Sequence, residues 1–439
     1  MPPADLAWMF AAFALVLLMF PGIALFYGGM LNGRNVLNMF MMVMGSMAVT
    51  TVVYVLFVHG IVTGNSVGGA GIIGNPVEFL GFESFTADDG SDGAYWGAFF
   101  ILFAAISIAI VASGAAGRMK FGSWLVFSGL WIALVYGPLG HWVFTFSDEE
   151  SGYVGGWMRN VLGLHDYAGG TAVHMNAGAS ALALALVLGR RRNTTNRPHN
   201  LPLVLLGAGL LFVGWIGFNG GTAAGANFLA GYVILTTLLA AMSGILGFLL
   251  VERYRDGQPT TLGMATGLIA GLVGITPAAD AVTPVGALLV GFVSAAAVAW
   301  AITWKKRHKI DDSLDAFAVH GIGGIAGALF VVLFGAAAAP AGVAGIFFGG
   351  DANLLWRETV AIVATLAYSF GATYAIAWTM NKISPLRVPN EVEDTGLDQG
   401  LHAESAYEIG AELGRPSHSG KFVATRPAPN HTAKEVPNQ

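Results

Sequence analysis

The chain has 439 residues, 55% of them hydrophobic and 11% charged, with a net charge of −5. Such a composition belongs to membrane proteins. It holds no basic block suited to nucleic acid, and the absence of cysteine excludes disulfides, thiol chemistry and cysteine-held metals.

Apolar runs long enough to cross ~30 Å of hydrocarbon as helices recur along the chain. They are expected at 6–30, 37–62, 94–116, 122–146, 169–189, 201–220, 226–251, 261–277, 283–304, 315–338 and 355–380. The expected fold is an all-α integral membrane protein of eleven transmembrane helices, occupying residues 1–383. The first run starts from Asp5 rather than a basic stretch and passes through "PGIALFYGG" without a cleavage site, so it reads as a span and not a signal peptide.

Basic loops stay on the cytoplasmic side of a membrane. Alternate connections hold Arg34, Arg118, Lys120, Arg190, Arg191, Arg192, Arg197, Arg253, Arg255, Lys305, Lys306, Arg307, Lys309, Lys382 and Arg387. The other set holds only Arg159 and Arg357 against many acids, among them Glu78, Glu83, Asp88, Asp89, Asp148, Glu149 and Glu150. The N-terminus is therefore expected outside, the C-terminus in the cytoplasm, and the number of spans odd.

Two echoes suggest an internal repeat. "FPGIALFYGG" (20–29) and "FVGWIGFNGG" (212–221) share F-x-G-x-x-x-F-x-G-G, and "TAVHMNAG" around His174 is echoed by "FAVHGIGG" around His320. Small residues that let helices approach closely would explain the first echo alone. The two together, five spans apart, imply inverted repeats at about 1–190 and 200–340, plus an eleventh helix. In such transporters the path lies at the repeat interface. From 384 to 439 the composition turns polar and Pro-rich, which reads as a cytoplasmic tail, largely flexible.

Almost no ionisable side chain falls inside the spans; Glu252 and Asp315 stand at helix ends and Asp166 at the outer end of the fifth. His59, His141 and His165 are expected near the outer surface, and His199, His308, His402, His418 and His431 in cytoplasmic loops or the tail. Only His174 and His320 fall deep in spans, where a polar side chain is costly and by default functional. Counted as helix, His174 lies about 12 Å beyond Asp166 and His320 about 7 Å beyond Asp315, from opposite faces. The two imidazoles can then meet and share a hydrogen bond. Two buried histidines bonded separately to backbone, or a bis-histidine haem, remain alternatives at this point. Without buried carboxylates, a path of Phe, Val, Ala and imidazole suits a small neutral or readily neutralised solute rather than a bare cation.

These residues resemble the ammonium transporters, the Amt/Mep/Rh superfamily, and its Amt branch in particular. The resemblance runs through "PGIALFYGG", "DYAGGTAVHMNAG", "GWIGFNGG", "DAFAVHGIGG" and "GLDQGLHAESAY". It implies a homotrimer in the plasma membrane with one pore per subunit between the two halves, and no cofactor. His174 and His320 fall on the twin pore histidines, and Phe103 and Phe218 on the stacked gate phenylalanines. Thr222 stands where the outer cation site usually has serine, and keeps the acceptor oxygen. Phe144 in "HWVFTF" replaces the vestibule tryptophan, which weakens cation–π binding by about 0.5 kcal/mol unless Trp142 or Trp157 compensates. Asp166 falls on the family's aspartate, as a helix cap and as a contributor to cation recruitment. The function implied is ammonium recruitment outside, with methylammonium also accepted. Deprotonation and passage of ammonia follow, with a proton relay through the imidazoles left open. The tail motif implies a PII-type regulatory partner, or else merely a link to a helix, "AESAYEIGAEL". An ammonium sensor and a neutral-gas or water channel of Rh type are the competing functions.

Overall fold

The computed structural model describes residues 1–87, 92–194 and 198–407. Asp88, Asp89, Arg197, His418, His431 and most of the expected tail helix lie outside the described residues. Those described are helical with no β-strand, and ten helices are long and apolar enough to cross a membrane. In chain order the helices are α1 (Pro3–Met30), α2 (Val36–Thr63), α3 (Gly93–Ala115), α4 (Phe121–Phe144), α5 (Gly170–Leu188), α6 (Leu201–Thr222), α7 (Phe228–Asp256), the shorter α8 (Thr261–Ile275), α9 (Pro284–Arg307), α10 (Phe317–Phe334) and α11 (Asn353–Ile383). Helix α8 has only 15 residues, about 22 Å of rise. Its chain continues as buried turns through Val282. Irregular backbone is tolerated at such depth because neighbouring helices, not lipid, surround it.

Local signals explain several helix starts. Asn200, Asn227, Thr260 and Thr283 each accept a hydrogen bond from the N–H three residues on, opening α6, α7, α8 and α9. Turns of π-helix interrupt α2 at Tyr54–Val58 and α4 at Ile132–Tyr136, and open α5 at Gly170–Met175 and α10 at Phe317–Ile322. A π turn shifts the direction of the side chains around it. The last two of these turns carry His174 and His320.

Large apolar side chains such as Phe10, Leu56, Val126, Leu206, Leu246 and Trp300 remain exposed along the helix exteriors. That is the pattern of a surface solvated by lipid tails. In the most apolar stretches of α3 and α5, 83% of residues are buried, against 33% for α2 and α11, so α3 and α5 are the central helices. Helices α1 and α6 run antiparallel in tight contact, Gly22 beside Leu211, Gly214 beside Met19 and Gly207 beside Phe26. A Cβ on Gly207 would stand 2.3 Å from the Phe26 nitrogen. Gly22 and Gly214 are the matching glycines of the repeated F-x-G motif, and both serve this approach.

The described part of the tail departs from the expectation of flexibility. Residues 384–407 are held against the ends of α2 and α4 and the loop after α5. Val388 N–H bonds to Arg118 O at 2.9 Å and Lys120 N–H to Leu386 O at 2.9 Å. Two short helices, Asn390–Thr395 and Leu397–His402, follow, and the Asp398 carboxylate accepts the N–H groups of Leu37 (3.1 Å) and Asn38 (2.8 Å) at the start of α2. Arg387 pairs with Glu393, Arg192 with Asp394, and His402 bonds Asn38. Composition misled because these polar side chains find partners on loops far away in sequence. Residues 403–407, expected to begin a helix, are not helical.

Candidate functional site

Helices α5 and α10 cross where Gly178 meets Gly321; a Cβ on Gly178 would lie 2.4 Å from the Gly321 nitrogen. This approach brings His174 Nδ1 within 3.1 Å of His320 Nδ1, so one nitrogen donates and the other accepts. The rings are 5.2 Å apart and 23° from parallel. On its other side His174 stacks on Trp215 of α6 at 5.1 Å, and Thr276 accepts the Trp215 indole N–H. Sequence reasoning missed Trp215, whose role depends on the α5–α6 contact. His174 Nε2 is buried with no hydrogen-bond partner among the described residues.

Both imidazoles border a small cavity of about 20 Å³, otherwise walled by residues such as Ile23, Phe26, Tyr27, Ile110, Leu211 and Trp215. That is room for one molecule the size of water. Among the described residues no carboxylate lines it. A porphyrin does not fit, and the direct contact between the imidazoles replaces the alternative of two separately bonded histidines.

Phe218 borders this cavity from above and stacks on Phe103 at 4.1 Å, 11° from parallel. Phe103 in turn borders a wider vestibule of about 370 Å³, with Trp96, Phe99, Phe100, Phe144 and Thr222. One ring of the stacked pair thus borders each of the two spaces. Thr222 donates its hydroxyl hydrogen to Phe218 O at 2.9 Å, which leaves its oxygen as an acceptor. Trp142 is not brought to the vestibule. It is 7% exposed, donates its indole N–H to Ile72 O, and packs on Trp157 and Tyr368. It lies two residues before Phe144 at the end of α4, and Trp157 does not border the vestibule either. The indole that does face the vestibule is Trp96, 5.7 Å from Phe100. Helical position alone did not reveal it, because α3 is apolar on every side.

Asp166 is fully buried and borders the vestibule. Its Oδ1 accepts the N–H groups of Gly169 (2.9 Å) and Gly170 (2.8 Å), and its Oδ2 that of Thr171 (2.7 Å). This caps α5. Residues 163–169 are not helical, so the helical rise assumed from Asp166 to His174 does not apply. The counterpart at the other end is Asp312 rather than Asp315. Asp312 precedes His320 by eight residues, as Asp166 precedes His174, and its Oδ2 accepts Phe317 N–H at 2.8 Å at the start of α10. The equal spacing was the available signal. Asp315 instead sits at φ 64° and pairs with Lys305.

The interior is also less free of charge than expected. Glu358 in α11 is fully buried and accepts His165 N–H at 2.8 Å. Asp280 borders the vestibule and its Oδ1 lies 2.9 Å from His165 Nε2. Burial alone would lower the His165 pKa, but the hydrogen bond and charge of Asp280, with the charge of Glu358, hold it above the ordinary value. His59 and His141 are buried as well, at 4% and 0% exposure, and His141 Nδ1 meets Val62 O. Beyond the lower cavity, the buried Asp312 is joined to Ser113 and Lys305, and Asp311 pairs with Arg118 and Arg191.

Membrane-length helices around a narrow apolar cavity, closed by stacked phenyl rings and lined by paired imidazoles, make a transport protein for a small solute. The family model for the Ammonium Transporter Family matches residues 7–407. An ammonium transporter of Corynebacterium glutamicum is 63% identical over 439 residues, covering 100% of this chain and 95% of its own length. The crystal structure of Saccharomyces cerevisiae Mep2 superposes with a TM-score of 0.79 at 32% identity, covering 88% of this chain and 90% of Mep2. A sensor Amt protein superposes at 0.81 with 27% identity over 90% of this chain and 97% of its own. The chain belongs to the ammonium transporter family, a family of transporters and not of enzymes.

Proposed function

We propose that this protein carries ammonium across the membrane by stripping it to ammonia. The vestibule walled by Trp96, Phe103, Phe144 and Thr222 receives the ion, cation–π attraction and the hydroxyl oxygen replacing part of its hydration. Asp166 adds a negative field from behind the α5 cap. The ion loses its proton at the Phe103–Phe218 partition, and ammonia passes along His174 and His320. The observation that carries this reading is the 20 Å³ cavity with its 3.1 Å imidazole pair and no carboxylate. A desolvated cation there would find nothing to offset its lost hydration, whereas neutral ammonia matches donor to acceptor. The Nδ1–Nδ1 contact also offers a relay by which the proton follows. Ammonium-evoked currents on a solid-supported membrane test it: replacing both histidines with leucine abolishes current, and wild-type current in that variant would overturn the relay.

The antiparallel contact of α1 with α6 and the paired Asp-x7-His segments support inverted repeats α1–α5 and α6–α10, with α8 as a short span and α11 outside both. The basic loops support a cytoplasmic tail side and a vestibule on the outer face of the plasma membrane. From the family resemblance come a homotrimer, readable by native mass spectrometry, and a PII-type regulator docking at the tail face. The competing sensor reading, favoured by the likeness to a sensor Amt protein, is separated by liposome uptake: a pure sensor binds but accumulates nothing.

A further inference from the structure

We propose that Asp280 and His165 form a titratable cation-attracting pair in the vestibule. Asp280 supplies a carboxylate for an incoming ammonium or alkylammonium ion, and His165 decides whether that carboxylate is already neutralised. The inference rests on the vestibule being the place where the ion is recruited.

The two carboxylates bordering the vestibule differ in what they have left to offer. Asp166 spends both oxygens on three backbone N–H groups and is fully buried. Asp280 has a side chain 13% exposed, and among the described residues its one hydrogen-bond partner is His165, itself 15% exposed. Its backbone is anchored, the Asp280 carbonyl accepting Ala341 N–H at 2.9 Å. Among the described residues Oδ2 has no hydrogen-bond partner, and it lies on the wall that also holds Trp96, Phe100 and Phe144. A carboxylate beside aromatic faces is a chemically matched site for a small monovalent cation with N–H groups.

The groups around the pair are otherwise engaged. Glu358 accepts the His165 backbone N–H, and Arg159 spends its guanidinium on the carbonyls of Val143, Leu164 and Asp166 while lying over Phe146. Tyr167 and Tyr232 donate their hydroxyls to the carbonyls of Asn219 and Val282, and Arg357 lies beside Gly163. None of these is the immediate partner of the Asp280 carboxylate. Protonated His165 therefore forms a neutral pair with Asp280, and neutral His165 leaves a net negative charge facing the vestibule. The His165 pKa is held above its ordinary value by Asp280 and Glu358, so the charge is lost at a higher pH than for a free imidazole, and cation affinity rises as His165 deprotonates.

Isothermal titration of the purified full chain with methylammonium chloride at pH 6 and pH 8 tests this, beside liposome uptake. In the wild type, Kd is expected to be lower at pH 8 by about threefold to fivefold, the range a partly exposed charge interaction supports. Asp280→Asn raises Kd at pH 8 by the same factor and flattens the profile. His165→Gln keeps an N–H for Asp280 without the charge and brings Kd at pH 6 down to the wild-type pH 8 value. A Kd in both variants that follows the wild-type profile overturns the proposal. Loss of wild-type uptake with this binding pattern intact would instead sink the transport reading alone.

Discussion

Replacing Asp166 separates its capping role from its field. The carboxylate holds three buried N–H groups, two on Oδ1 and one on Oδ2, at 2.7–2.9 Å. Asp166→Ala orphans all three at the start of α5. Each buried unpaired donor costs about 1–3 kcal/mol, so the loss is about 3–6 kcal/mol after partial relaxation. Asp166→Asn keeps the oxygen that takes two of them but sets an amide NH₂ against Thr171 N–H, costing about 1–3 kcal/mol. The expected order of thermal stability in detergent is wild type, then Asn, then Ala, with transport lost wherever His174 loses its place at the end of the π turn. If the Asn variant melts as the wild type does yet transports far more slowly, the negative field is the main contribution. If the Ala variant melts at the wild-type temperature, the capping argument is wrong.

Phe218→Ala removes a fully buried ring and joins the vestibule to the lower cavity. It should cost about 3 kcal/mol of stability and make proteoliposomes leak protons, read by a pH-sensitive dye; tight vesicles would contradict the partition. Asp398→Ala loses two N–H partners at the start of α2, about 2 kcal/mol, and should speed trypsin cleavage after Arg387 roughly 30-fold. Unchanged digestion would mean the tail is held elsewhere. Asp311 sits between Arg191 and Arg118; despite burial, which raises it, these arginines lower its pKa to about 2. A depressed folded pKa stabilises above the unfolded value of about 3.9 and is lost as pH falls toward about 2, so the advantage of wild type over Asp311→Asn, about 2 kcal/mol, should persist from pH 7 to 5 and shrink below 4. A gap that is constant down to pH 3 would refute the pairing.

Part of the candidate site could be proposed from the sequence alone. His174 and His320 stood out because imidazole deep in an apolar span is expensive, and the motifs around Phe103, Phe218 and Asp166 carried a family resemblance. Trp142 went astray because neighbours in sequence on a helix point to different sides; Phe144 faces the vestibule and Trp142 does not. Asp280, His165 and Glu358 were hidden because each owes its importance to a partner more than a hundred positions away, as with His165 and Asp280, separated by 115. The docked tail was hidden for the same reason.

By itself the sequence determined that this is a helical membrane protein, that basic residues gather in alternate connections, and which two histidines fall well inside apolar runs. Apolar length, charge placement and motif spacing are properties along the chain and survive without a fold. Only the tertiary structure decided that the imidazoles touch through Nδ1, that Phe103 covers Phe218, and that Asp280 meets His165 on the vestibule wall. Those outcomes depend on glycine-permitted helix crossings and π turns, which orient side chains at ångström scale.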